Sequence, residues 1–297
     1  MKPQTKARLF DTVGHAVGYL PLWANRALGR LIGELADRVP NRSRAVTERN
    51  LSLCLPELSP DERRRLRRQS LIETGKTLAE IGMLWRWPIE RLRALMREEP
   101  GYACVKAALA QGRGVLLLAP HMGAWELGGL LLSGRFPLTI MYRPSRTPAL
   151  DAPLKRARER YGARLVPADT SGVRAVLAAL KRGEVAIILP DQEPSFGQGE
   201  FAPFFGQPAY TLQLVARLLS RTQAVPVFTH VERLPGTRGY RSHFQEASDA
   251  LGSENLNEAL TALNAGVEAL ARTWPAQYLW SYKRFRTHPD GEPSFYD

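Results

Sequence analysis

His121 and Glu126, five residues apart, are the residue types that a general base and its orienting carboxylate require. Both follow an apolar run in Gly114-Val-Leu-Leu-Leu-Ala-Pro-His-Met-Gly-Ala-Trp-Glu126. Bounded by Gly and Pro, that run predicts a buried strand, and Trp-Glu-Leu-Gly-Gly-Leu-Leu-Leu after it predicts a helix. The turn between them lies at the carboxyl end of a strand, where open α/β sheets present reactive groups. On a continuous helix, positions i and i+5 point about 140° apart. The pair can meet only if His121 precedes the helix and Gly123 turns the backbone. On spacing alone, a structural histidine at a strand end is the plainer reading.

The elements that must position these groups follow from hydrophobic periodicity. Apolar runs at 114–119, 138–142, 164–166, 185–189 and 224–230 alternate with helical patterns near 124–133, 150–161, 171–182 and 210–220. That alternation predicts an α/β fold with a mainly parallel central sheet flanked by helices. A further strand is expected after Gly239 and a helix near 255–272, while 43–96 reads as helical. Within it, Ser59-Pro60-Asp61-Glu62 is a helix start. Two more sets of polar residues follow apolar runs: Arg143, before Pro144, and Asp191-Gln192-Glu193. An arginine in such a turn can grip a phosphate or neutralise an oxyanion, or it can simply face solvent. Phe196, Phe201, Phe204 and Phe205 either wall an apolar groove or pack a loop, and Thr211 reads as a helix cap.

The 297 residues form one large domain, 41–297, with a helical extension over 1–40. A formal charge of +12 and a pI near 10.1 point to an anionic partner. In the extension, Lys2, Lys6 and Arg8 precede Phe10, Leu20 and Trp23, a mixture suited to a membrane interface or to packing on the core. The extension is too polar for a comfortable span. Cys54 and Cys104 form no CxxC pair, and five scattered histidines give no metal cluster, so neither a disulfide framework nor a zinc site is expected. There is no phosphate loop, dinucleotide fingerprint, GxSxG elbow or RNA-binding motif, so no nucleotide cofactor and no nucleic-acid partner are expected. Lys155, Arg156, Arg158 and Arg160 form a basic cluster suited to steering an acidic partner.

His121-x-x-x-x-Glu126 after an apolar strand resembles the HX4D/E box of the glycerolipid acyltransferase superfamily. Met141-Tyr-Arg-Pro144, Leu189-Pro-Asp-Gln-Glu-Pro194, Gly199-Glu-Phe-Ala-Pro-Phe-Phe-Gly206 and Ala224-Val-Pro-Val227 narrow the resemblance to the late (lauroyl/myristoyl) acyltransferases of lipid A biosynthesis. They occur in that family's order across roughly 40 to 290. The resemblance implies transfer of a fatty acyl chain from acyl-carrier-protein to a hydroxyl of a Kdo-bearing lipid A precursor. It implies His121 as general base oriented by Glu126, with Arg143, Asp191 and Gln192 binding substrate and no metal or cofactor. It implies a location on the cytoplasmic face of the inner membrane. Acylation of another glycolipid or of a lysophospholipid, hydrolysis by the same base, and membrane binding without catalysis are the alternatives.

Overall fold

The computed structural model describes residues 17–144, 148–289 and 295–296. The first 16 residues, with the basic group Lys2, Lys6 and Arg8, lie outside that range. Four helices open the described chain: α1 (Leu22–Arg38), α2 (Arg42–Cys54), α3 (Pro60–Leu84) and α4 (Ile89–Arg93). Ser59 starts α3 as expected, with a capping box in which its hydroxyl and the Glu62 carboxylate satisfy each other's backbone N–H groups. α1 lies close along α3 because Gly29, Gly33 and Gly75 face each other; a Cβ at any of them would collide with backbone.

The predicted alternation is a seven-stranded sheet. Its strands are β1 (Met96–Glu98), β2 (Val115–Leu118), β3 (Leu138–Tyr142), β4 (Arg164–Pro167), β5 (Val185–Ile188), β8 (Val225–Arg233) and β9 (Tyr240–Glu246). Two further strands, β6 (Gly199–Phe204) and β7 (Gln207–Leu212), form a separate hairpin. The sheet order is β1-β9-β8-β2-β5-β3-β4, parallel except for the β8/β9 pair. β2 and β5 are central and buried at every position, as unbroken Val/Leu/Ile runs in a doubly covered parallel sheet should be. Helices α5 (Tyr102–Ala110) and α6 (Trp125–Leu132) pack on one face. On the other face pack α8 (Thr170–Lys181), α9 (Leu214–Leu219) and α10 (Leu256–Thr273). Helix α7 (Pro148–Glu159) precedes β4.

A buried ion cluster ties the helical layer to the sheet. Arg233, at the end of β8, donates to Glu80 at 2.8 Å and Thr77 at 2.7 Å on α3, and Tyr240 donates to the same Glu80 at 2.7 Å. Arg26 of α1 caps the carbonyls of Leu234, Gly236 and Gly239. Removing one partner would strand a buried charge, which typically costs about 3–5 kcal/mol.

The region expected as a helix over 210–220 differs. Thr211 lies within β7, where its hydroxyl donates to Ala209 O and accepts from Asn264 at 2.8 Å and Arg284 at 3.0 Å. Pro203 and Pro208 obscure the strand pattern in the sequence, yet they sit opposite each other in a two-stranded ribbon in which both strands are edges. The turn at Phe205-Gly206 has both residues at positive φ, the geometry a two-residue hairpin needs. Phe205 tolerates it because its N–H donates to Glu268 and its ring packs edge-on against Phe204 and Trp280.

Candidate active site

Register brings the first pair of chemical groups together. Leu118 of β2 lies opposite Ile188 of β5, so the residues three further on, His121 and Asp191, leave the sheet side by side. His121 Nδ1 is 2.8 Å from Asp191 Oδ1, and the His121 backbone N–H donates to Asp191 Oδ2 at 2.9 Å. Both carboxylate oxygens are therefore committed to one residue. The turn itself is clamped. Gly123, at φ +55, donates to Gln277 O, Ala124 donates to Val231 O, and Leu279 donates to His121 O. A Cβ on Gly123 would collide with Val231 O, which is why glycine is needed there.

Asp191 is 5% exposed and His121 is partly open. Burial alone would raise the Asp191 carboxyl. His121 beside it, and the hydrogen bonds from the His121 ring and amide, outweigh burial and hold it below its ordinary range. An ionised Asp191 can only accept, so this hydrogen bond places a proton on His121 Nδ1 and leaves Nε2 as the ring nitrogen not held by the carboxylate. Trp125 sits edge-on to the ring, with centroids 5.4 Å apart.

The expected partner of His121 was Glu126; the structure gives Glu126 another. Glu126 lies in the first turn of α6, and Arg158 of α7 makes a two-pronged ion pair with it, one contact at 3.0 Å. Once Gly123 has turned the chain, Glu126 leaves the helix toward α7 and Asp191 takes Nδ1. Asp191, which the resemblance implied as a substrate contact, is buried against His121 and does not line the cavity described next. Arg143 leaves the end of β3, is exposed, and reaches Glu193 O at 3.4 Å. Gln192 faces the cavity described next. Glu193 is a structural group: it accepts from Thr287 N–H and hydroxyl and pairs with Arg286 at 3.2 Å.

His121, Glu126, Arg143, Arg158 and Gln192 line one cavity of about 620 Å³ at the carboxyl ends of β2, β5 and β3. Its deeper walls are apolar and include Leu132, Ile140 and Phe244. Gly128 and Gly129 of α6 also line it; a Cβ on them would come to 3.1 Å from Val231 and 3.4 Å from Ile140. Two glycines in a helix cost about 1 kcal/mol each relative to alanine, so the space they leave is a feature of the site.

Residues 6–287 match the family model for bacterial lipid A biosynthesis acyltransferases. The chain belongs to that family. It is an acyltransferase. It is 30% identical over 287 residues to the lipid A biosynthesis palmitoleoyltransferase of Escherichia coli (strain K12), covering 94% of this chain and 92% of that one. It is also 30% identical over 270 residues to that organism's lipid A biosynthesis lauroyltransferase, covering 91% and 87%. A third relative, its lipid A biosynthesis myristoyltransferase, is 26% identical over 281 residues, covering 92% and 84%.

Within this acyltransferase the aromatic loop is packing. Phe204 and Phe205 are buried with Trp280 and Phe285, Phe201 pairs with Tyr210, and Phe196 is 95% exposed; none lines the cavity. The basic cluster is largely committed too. Arg158 holds Glu126, and Arg160 caps the carbonyls of Leu84, Trp85 and Trp87. Arg158, read from the sequence as part of a basic cluster for steering, lines the cavity and pairs with Glu126. Its spacing within α7 gave no signal, because its partner lies 32 residues away.

Proposed function

We propose that the cavity transfers a fatty acyl chain from an acyl-carrier-protein thioester to a hydroxyl of a Kdo-bearing lipid A precursor. The observation that carries this reading is the His121–Asp191 pair at the mouth of a deep apolar cavity. A hydroxyl is a weak nucleophile until its proton leaves as the new bond forms. His121 Nε2 takes that proton while Asp191 holds the proton on Nδ1 and balances the imidazolium, the division of labour found in hydrolase triads. The acceptor oxygen attacks the thioester carbonyl, and the imidazolium returns the proton to the departing thiolate. No acyl-enzyme is needed. Arg158, held by Glu126, and the exposed Arg143 offer guanidinium N–H donors on the cavity wall to a developing oxyanion or to a phosphate. The apolar depth accommodates the acyl chain, and filling it keeps water from the thioester.

The same reading places the enzyme on the cytoplasmic face of the inner membrane. Helix α1 supports it by being inside out. It buries Asn25, Arg26, Gly29 and Gly33 and exposes a stripe at i+4 spacing, with Trp23 at 65%, Leu31 at 53% and Leu35 at 50%. Leu78 of α3 is also exposed, at 57%. Such a face, flanked by Arg30 and Arg38, suits an anionic interface. No described helix is long and apolar enough to cross a membrane.

The test is a purified assay with the same acyl chain on carrier protein and on coenzyme A, offered to the lipid A precursor, to a lysophospholipid and to water. Acyl transfer from the carrier thioester to the precursor is the expected result. Equal use of both donors would remove the carrier assignment, and transfer to the lysophospholipid alone would remove the acceptor assignment. Release of free fatty acid without transfer would make the cavity a hydrolase site.

A further inference from the structure

A second concavity shares Leu279 with the clamp on the catalytic turn. Leu279, whose N–H holds His121 O, also lines a groove of about 260 Å³. Its other walls are Arg42, Ser43, Ser281, Tyr282, Lys283 and Arg286. Three cations converge on this groove, and a single carboxylate answers them: Arg286 lies 3.2 Å from Glu193, which is itself fully buried. Among the described residues, neither Arg42 nor Lys283 has a carboxylate partner, and the Lys283 ammonium lies 5.1 Å from the centre of the Tyr296 ring. Three positive charges less one negative leave an excess of two.

This contrasts with the other basic groups near the site. Arg158 and Arg160 are tied to Glu126 and to backbone carbonyls, and Arg67 to Asp37 and Glu48. Arg42 and Ser43 open helix α2, whose cap, Asn41, accepts only from Arg44 N–H. The first amides of that helix therefore add their partial positive charge to the groove. The Ser43 and Ser281 hydroxyls stand beside the cations, giving sugar hydroxyls partners next to an anion's. Tyr282 ties the groove to the catalytic loop, since its hydroxyl accepts from Glu193 N–H at 3.0 Å. The groove is thus fixed to the same segments that fix His121 and Asp191.

We infer that the groove binds an anionic group, a phosphate or a carboxylate, on the sugar head group of the acceptor while the reacting hydroxyl stands at His121. This rests on the acyl-transfer reading of the main cavity. The apolar walls of that cavity, which include Leu132 and Ile140 on the α6 side and Leu177 and Leu218 on the other, take the chain. The groove shares its backbone with the His121 clamp, and so it registers a rigid polar molecule against the base. A large amphiphile with many hydroxyls needs such a register, because orientation at the reacting atom decides which hydroxyl is acylated.

The test uses the full chain with Arg42→Glu and Lys283→Glu together, with KM measured separately for acceptor and for thioester donor. Two charge-assisted contacts are lost, so acceptor KM should rise about 10- to 100-fold. The donor KM should stay within about twofold, since the groove holds the acceptor and not the thioester. Arg42→Lys with Lys283→Arg should recover most of the loss. Arg42→Gln alone, at an exposed position, should give a several-fold rise without touching packing. An acceptor stripped of its phosphates and acid groups should be poor for wild type and no poorer for the charge-reversed enzyme. A rise in donor KM instead would assign the groove to the carrier's phosphate and overturn the inference, as would an unchanged acceptor KM. Wild-type enzyme that transfers to no lipid acceptor would instead defeat the acyl-transfer reading itself.

Discussion

Asp191→Asn separates the geometry of the site from its chemistry. The His121 backbone N–H needs an acceptor at the position of Oδ2, 2.9 Å away. An asparagine can satisfy it only with its carbonyl oxygen, and that choice turns its NH2 toward His121 Nδ1, 2.8 Å from Oδ1 in the native pair. Nδ1 must then accept, the ring proton moves to Nε2, and the basic nitrogen facing the cavity is lost. Both polar groups of the asparagine remain paired, so the fold should survive. A misplaced general base costs about 10²- to 10⁴-fold, and the buried orienter in a serine protease triad sets the upper end of that range. We expect kcat to fall by about 10³-fold with KM little changed, measured with saturating donor and acceptor. Nitrogen NMR of His121 should show the proton on Nδ1 in wild type and on Nε2 in the variant. Stability should also respond. The folded Asp191 is held below its ordinary value, so its contribution is complete above the unfolded value of about 3.9 and is lost as pH falls through the folded one. The asparagine variant should lack that acid-side slope. Turnover within about threefold of wild type, or an unchanged tautomer, would refute the argument.

Three further outcomes follow from the same structure. Glu126→Gln and Arg158→Gln should each cut kcat by about 10²-fold, and together by little more than the worse single change, because each serves mainly to hold the other; additive losses in a double-mutant cycle would show separate roles. Gly129→Leu extends a side chain toward Ile140, 3.4 Å from where its Cβ would sit, and should shift the preferred donor to a shorter chain in a competition assay. An unchanged preference would take the α6 face out of the acyl site. Replacing Trp23, Leu31 and Leu35 with serine should abolish flotation with anionic vesicles while leaving the melting temperature nearly intact, since all three face solvent; equal flotation would assign membrane binding elsewhere.

The parallel sheet and its helices were legible because buried strands such as 185–188 and amphipathic helices such as α10 carry their own periodicity. The capping box at Ser59 was legible for the same reason: its partners lie three residues apart. The β6/β7 hairpin was not, because Pro203, Pro208 and a non-glycine residue at positive φ all contradict the local rules, and the contacts that offset them come from α10 and from the 280s. His121 was found from its place after a strand. Its pairing with Glu126 came from the resemblance to the HX4D/E box, whereas the sheet register, Leu118 beside Ile188, sets Asp191 against its ring. Arg158 and the groove at Arg42 and Lys283 are long-range assemblies whose parts look like ordinary surface charge until the fold joins them.

The central claim is that His121 takes the proton of the acceptor hydroxyl. It is tested most directly by His121→Ala under single-turnover conditions, with a labelled acyl thioester and saturating acceptor, following the acylated product by mass. The account predicts a folded protein that binds both substrates with near-native affinity and forms product at least about 10²-fold more slowly. Product formation at the wild-type rate by a folded His121→Ala enzyme would contradict it.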